Sequence, residues 1–128
     1  MKTVGDVMAK GLLMVEESAT IKQAAASMTE RNVGSALVAR DGRLVGILTE
    51  RDVLHVAGTG DLDDRVDRWM TKHPETVDAD ESTQQAAVVM IHGGFRHLPV
   101  LEDGRPAGIV SIRDLMRVAL EDVSPRGV

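Results

Sequence analysis

The sequence has no cysteine and almost no aromatic residues, a single tryptophan and a single phenylalanine. Without cysteine there is no disulfide, no thiolate zinc site and no cysteine nucleophile. With only Trp69 and Phe95 to supply aromatic surface, the core of this 43% apolar chain must be built from Val, Ile, Leu, Ala and Met, methionine filling the irregular gaps. An excess of basic charge is also missing: 15 Lys and Arg stand against 20 Asp and Glu, for a net charge of -5. A nucleic-acid partner is therefore not expected, because counterion-release binding needs a basic surface and base stacking needs aromatic platforms. No apolar run approaches the roughly 20 residues that span a bilayer, and the N-terminus lacks the charged and apolar regions of a signal peptide. The expected setting is the cytoplasm, away from membranes.

What the sequence does have is a copy of itself. Displaced by 62 positions, the distance from Gly46 to Gly108, the chain matches without a gap. Gly46, Ile47, Arg51 and Asp52 fall on Gly108, Ile109, Arg113 and Asp114. Asp41, Gly42 and Arg43 fall on Asp103, Gly104 and Arg105, Met8 on Met70, and Gln23, Ala24, Ala25 and Met28 on Gln85, Ala86, Ala87 and Met90. At 128 residues the chain has the length of one compact domain, and a unit too small to bury its own apolar face can bury it against a copy. The expected units are 1–60 and 61–128, with Gly58 to Asp64 as connector and a frayed tail from Ser124 to Val128.

Each copy reads in the same order. A short strand near Leu12 to Val15, or Thr76 to Val77, comes first. Thr20 to Gln23 and Ser82 to Gln85 have the capping-box pattern that opens a helix. Ile21, Ala24, Ala25 and Met28 in one helix, and Ala86, Ala87, Met90 and Ile91 in the other, give a buried stripe at helical spacing. Strands at Ser35 to Ala39 and His97 to Leu101 are followed by Asp-Gly, the dipeptide of a type I′ hairpin turn, and by strands at Leu44 to Leu48 and Ala107 to Val110. A second helix closes each unit. The fold class is α+β, a tandem pair of βαββα units.

Both copies run from strand to helix through glycine, two aliphatic residues, a hydroxyl residue, two variable positions and aspartate. These are Gly46-Ile47-Leu48-Thr49-Glu50-Arg51-Asp52 and Gly108-Ile109-Val110-Ser111-Ile112-Arg113-Asp114. The hydroxyl and the first N–H groups of the helix would face an anion, favoured by the positive helix end. The aspartate could accept hydrogen bonds from the vicinal hydroxyls of a ribose, and the arginine could reach a phosphate. A hydroxyl followed three residues later by an acid is equally a helix cap that needs no ligand, and the two roles can coexist.

With these motifs the sequence resembles the CBS domain family, whose members occur as tandem pairs called Bateman modules. The likeness covers nearly the whole chain. It also rests on Asp6-Val7-Met8 and Arg68-Trp69-Met70-Thr71 leading each unit, and on Phe95-Arg96-His97-Leu98-Pro99-Val100. The resemblance implies a pseudo-twofold pair with two clefts that take adenosine derivatives: AMP, ADP, ATP or S-adenosylmethionine. It assigns Asp52 and Asp114 to ribose, Thr49, Ser111, Arg51 and Arg113 to phosphate, and Ile47 and Ile109 to the base. Gly34, Ser35 and Ala36 would help build the Asp114 site, and Arg96, His97 and Leu98 the Asp52 site. Ser35 stands where the second copy has His97, so unequal sites are expected.

Other chemistry finds little support. His55, His73, His92 and His97 lack the spacing of a zinc site, and Asp61, Asp63, Asp64, Asp78, Asp80 and Glu81 lack the calcium-loop pattern, reading instead as solvated charge. No nucleophile with an adjacent base, nucleophile elbow, P-loop or dinucleotide fingerprint occurs, so no enzyme and no required cofactor is expected. The reading is a stand-alone regulatory module that binds an adenosine-type ligand and signals occupancy to a regulated protein not identifiable from sequence. The alternative is a ligand-free interaction module working through Leu54, Met116 and Leu120; a homodimer is expected under both.

Overall fold

The computed structural model describes residues 2–121. In chain order the elements are α1 (Val4–Val7), β1 (Met14–Glu16), α2 (Ile21–Arg31), β2 (Ser35–Arg40), β3 (Arg43–Thr49), α3 (Glu50–Thr59), α4 (Val66–Trp69) and β4 (Thr71–Lys72). They continue with β5 (Val77–Asp78), α5 (Thr83–Gly93), β6 (His97–Glu102), β7 (Arg105–Ser111) and α6 (Ile112–Ala119). The α+β class and the twofold βαββα order follow directly. The leading strands begin one or two residues later than the sequence suggests, at Met14 and Val77. The tail from Ser124 lies outside the described residues. No helix among those described is long and apolar enough to cross a membrane.

Contacts divide the chain into two compact units, 11–74 and 1–10 together with 75–128. The packed units are thus offset from the sequence repeats at 1–60 and 61–128. The segment that leads the second repeat, Asp64 to Lys72, completes the 11–74 unit. The segment that leads the first, 1–10, completes the other.

In the 11–74 unit the sheet order is β1-β2-β3-β4, with β1 parallel to β2 and the rest antiparallel. Thr20 and Gln23 form the full capping box at α2: each side-chain oxygen accepts the other residue's backbone N–H at 3.0 Å. Ile21, Ala24 and Met28 then face Ala36, Val38 and Leu48 of the sheet, joined by Val56 of α3 and Val66 of α4. Burying Ile21 and Met28 contributes roughly 1.5–3 kcal/mol each. Ala24 lets helix and sheet approach closely.

The other unit repeats the plan with sheet order β5-β6-β7 and a core of Val4, Val77, Ala86, Met90, Leu98, Val100, Val110 and Leu115. Ser82 Oγ caps α5 through Gln85 N at 3.0 Å. Ile91, expected in the buried stripe, is instead 71% exposed. Ala86 and Met90 lie one turn apart, whereas Ile91 is five residues from Ala86, about 140° round the helix, and Val89 packs on the core in its place.

Both hairpins turn as the Asp-Gly pairs require. Asp41 and Gly42 have φ of 50° and 78°, Asp103 and Gly104 have 53° and 76°, the positive pair of a type I′ turn. The acidic connector is not simply solvated. Asp64 Oδ2 accepts the Trp69 indole N–H at 2.9 Å, and the Asp64 carbonyl accepts the N–H of Ile21 at 2.9 Å, so the loop fastens α2 to α4.

Candidate functional site

In the 11–74 unit β3 delivers the motif to the start of α3. Leu48 is fully buried and fixes the strand, so Thr49 falls at the N-cap with extended backbone. Thr49 Oγ1 accepts the Asp52 N–H at 3.2 Å, while Asp52 Oδ2 accepts from Thr49 N at 2.8 Å and from Thr49 Oγ1 at 3.1 Å. The Glu50 N–H donates to the Gly34 carbonyl at 2.9 Å, tying the entry of β2 to the helix start. Ser35, paired with Thr49 across the strands, is buried.

The other unit builds the same turn from β7 and α6. Ser111 Oγ accepts the Asp114 N–H at 3.1 Å, Asp114 Oδ2 accepts the Ser111 N–H at 2.9 Å, and Ile112 N donates to the Arg96 carbonyl at 2.9 Å. His97 pairs with Ser111 across the strands. The Arg117 guanidinium lies 3.8 Å from Asp114 Oδ1.

Capping is therefore real at both motifs, and it leaves chemistry to spare. Each cap occupies Oδ2 of its aspartate, whereas Asp52 Oδ1 has no hydrogen-bond partner among the described residues and Asp114 Oδ1 has only the long approach of Arg117. A carboxylate oxygen carries two lone pairs, so both groups can still accept. Arg51 and Arg113 are exposed and in no ion pair among the described residues. Their N–H groups, in the first helical turn, have no partner within the helix. Each turn thus offers an anionic acceptor, an exposed guanidinium and a helix N-terminus within a few residues.

The other sequence candidates separate by depth. Ala36 and Leu98 are in the helix-side cores, so only their backbones could meet a ligand. Ile47 is buried and Ile109 half-buried, on the strand faces turned away from the helices. Gly34 and His97 are half-buried and Arg96 exposed.

Sequence reasoning passed over two features. Gly46 and Gly108 read as part of a motif, but their local role is contact. A Cβ on Gly46 would meet Met70 Sδ at 2.5 Å, and one on Gly108 would meet Met8 Sδ at 2.5 Å. Ala9 and Ile109 also exchange backbone hydrogen bonds of 2.9 and 3.1 Å, while Thr71 and Lys72 pair with Ile47 and Gly46. The matching of Met8 with Met70 in the repeat was the available signal. The second feature is a concavity of about 380 Å³ in the 11–74 unit, lined by Glu17, Arg40, Val45, Asp67, Met70, Lys72 and His73, at the hairpin end of β3 away from the motif.

The sequence model of the CBS domain matches residues 4–58 and 65–121. An uncharacterised 17.7 kDa protein of Acidianus ambivalens is 40% identical over 120 residues, which cover 92% of this chain and 73% of that protein. The CBS domain pair of protein MJ0100, solved in complex with 5′-methylthioadenosine and S-adenosyl-L-methionine, superposes with a TM-score of 0.86 at 25% identity, covering 93% of this chain and 96% of that one. CBSX2, solved in complex with AMP, gives a TM-score of 0.79 at 28% identity, covering 94% and 98%.

Proposed function

Since the chain belongs to the CBS domain family, we propose that it is a non-catalytic regulatory module that binds an adenosine-type ligand through the Gly46–Asp52 and Gly108–Asp114 motifs and transmits occupancy to a partner protein. The observation that carries this reading is the spare acceptor capacity of Asp52 and Asp114 beside exposed arginines, at two turns of identical backbone pattern. A cap alone requires neither the arginine nor its repetition. The complexes of MJ0100 with 5′-methylthioadenosine and S-adenosyl-L-methionine, and of CBSX2 with AMP, support an adenosyl ligand. Candidates are AMP, ADP, ATP and S-adenosylmethionine, bound without any further cofactor. Transmission would be population shift: a ligand favours whichever arrangement of its contacting groups it binds more tightly.

Calorimetric titration of the four compounds tests the reading. At least one should bind with Kd below about 1 mM. Asp114→Asn should weaken it more than Asp63→Asn does, because asparagine can retain the cap acceptor yet lose the charge that holds hydroxyls. Equal effects would mean that the motif only caps.

A second reading is favoured by a separate observation: Leu54 is 73% exposed and Met116 and Leu120 are each 56% exposed. These helices would then pair with a second copy of the chain, with or without ligand. Light scattering should give a dimer mass at micromolar concentration, and Leu54→Lys with Met116→Lys should reduce it to monomer.

A further inference from the structure

The two motifs share one backbone frame and carry opposite charge in it. Glu50 N donates to the Gly34 carbonyl and Ile112 N to the Arg96 carbonyl, both at 2.9 Å. The side chains at those positions are exchanged in character, glycine with carboxylate in one copy and arginine with isoleucine in the other. The Glu50 carboxylate lies over Gly34: a Cβ built there would sit 3.4 Å from Glu50 Cδ and 3.5 Å from both carboxylate oxygens. It fills the space into which a side chain at 34 would project. The Glu50 carboxylate has no hydrogen-bond or ion-pair partner among the described residues. The first turn of α3 thus holds two carboxylates, Glu50 and Asp52, and one arginine, Arg51, whereas that of α6 holds one carboxylate, Asp114, and one arginine, Arg113, with Arg117 from the next turn 3.8 Å from Asp114 Oδ1.

Building on the adenosyl reading above, we infer that Glu50 sorts ligands by charge. The Gly46–Asp52 motif takes an adenosyl compound whose 5′ substituent bears no negative charge, and the Gly108–Asp114 motif takes a 5′-phosphorylated one. The physical reason is that each further carboxylate at a helix N-terminus weakens its attraction for another anion: Asp52 and Asp114 cap both helices, and Glu50 adds a second carboxylate at α3 alone. Glu50 satisfies the partial positive charge of α3 internally and repels a phosphate brought to the same turn. At the separation of neighbouring groups on one turn, a dianionic phosphate would be disfavoured by about tenfold at low ionic strength, and by less as salt is added. Ile112 imposes no such penalty on α6.

The test is calorimetry on the full chain with AMP and with 5′-methylthioadenosine, an adenosyl compound without phosphate. In Asp114→Asn, AMP affinity should fall about tenfold or more while 5′-methylthioadenosine holds within about threefold; Asp52→Asn should give the reverse. Adding Glu50→Gln to Asp114→Asn should raise AMP affinity about tenfold and leave 5′-methylthioadenosine unchanged. Glu50 is exposed, so this variant should fold as the parent does, which circular dichroism checks. If Glu50→Gln leaves the ratio of the two affinities unchanged, or if both compounds respond to the same aspartate, the sorting is wrong although adenosyl binding stands. If neither compound binds the unaltered chain, the adenosyl reading itself fails and the sorting with it.

Discussion

Replacing Gly46 by alanine would place a methyl carbon 2.5 Å from Met70 Sδ, 3.0 Å from Met70 Cγ and 2.9 Å from the Thr71 carbonyl oxygen. The thioether can swing away, but the carbonyl is held by the pairing of β4 with β3 at Gly46 and Ile47. Overpacking of this kind costs about 1–3 kcal/mol, and the lower chain entropy of alanine in the unfolded state returns about 0.4–1 kcal/mol. The expected net loss is about 1–2 kcal/mol, some 4–8 °C in Tm for a chain of this size. Equilibrium urea unfolding should show it as a lower midpoint at unchanged slope. Because two of the three contacts belong to Met70, the cost of Gly46→Ala should shrink by about half in a Met70→Ala background and persist in the remainder, which the backbone oxygen imposes. Gly108→Ala should repeat the pattern with Met8, whose Sδ lies 2.5 Å away, and the Ala9 carbonyl at 2.7 Å. A Gly46→Ala loss below about 0.5 kcal/mol, or one indifferent to Met70→Ala, would refute the claim that these glycines exist to admit the leading segments.

Three further outcomes follow from the same geometry. Asp64 is held below the usual carboxylate range, first by the Trp69 indole N–H and then by the backbone N–H of Asp61, so its stabilising effect is fully present above about pH 4 and lost as pH falls through its lowered value. Fluorescence of the single tryptophan during acid titration should therefore show an acid limb that Asp64→Asn flattens, and identical limbs would sever that link. Gly104→Ala meets no atom within 4 Å, so its whole effect is the strain of φ +76°, a loss of about 1–2 kcal/mol in thermal unfolding; Gly104→Asn should lose about half as much, and equal losses would point away from backbone strain. Thr49→Ala removes the acceptor for Asp52 N and should cost about 1 kcal/mol in urea unfolding, while Thr49→Ser should stay within about 0.5 kcal/mol; parity between them would deny the cap.

The parts of this fold that were legible in sequence are those whose cause is local. Asp41-Gly42 and Asp103-Gly104 dictate their turns because only those residue types accept two successive positive φ values, and Thr20 with Gln23 marks a helix start because both orphan groups are answered within four residues. Ile91 misled because an apolar residue beside a stripe is indistinguishable in sequence from one within it until a neighbouring element settles the rotation of the helix. At the motif, Thr49, Asp52, Ser111 and Asp114 were visible as types at fixed spacing, but whether they cap or bind depends on which lone pairs the cap consumes, and that is a matter of distances. Glu50 went unnoticed because a motif with variable positions invites neglect of what fills them; its meaning appears only once Gly34 is seen beneath it. The exchange of leading segments was the least accessible of all. A repeat of 62 residues says that Met8 and Met70 are equivalent, and equivalence is equally consistent with each methionine packing on its own copy or on the other. The choice falls to Gly108 and Gly46. Each admits a leading segment beside its strand, and the segment that supplies it to β3 is the one that follows α3 in the chain. In the other unit Met8 and Ala9 lie against β7 in the same way, Ala9 exchanging backbone hydrogen bonds with Ile109 beside Gly108.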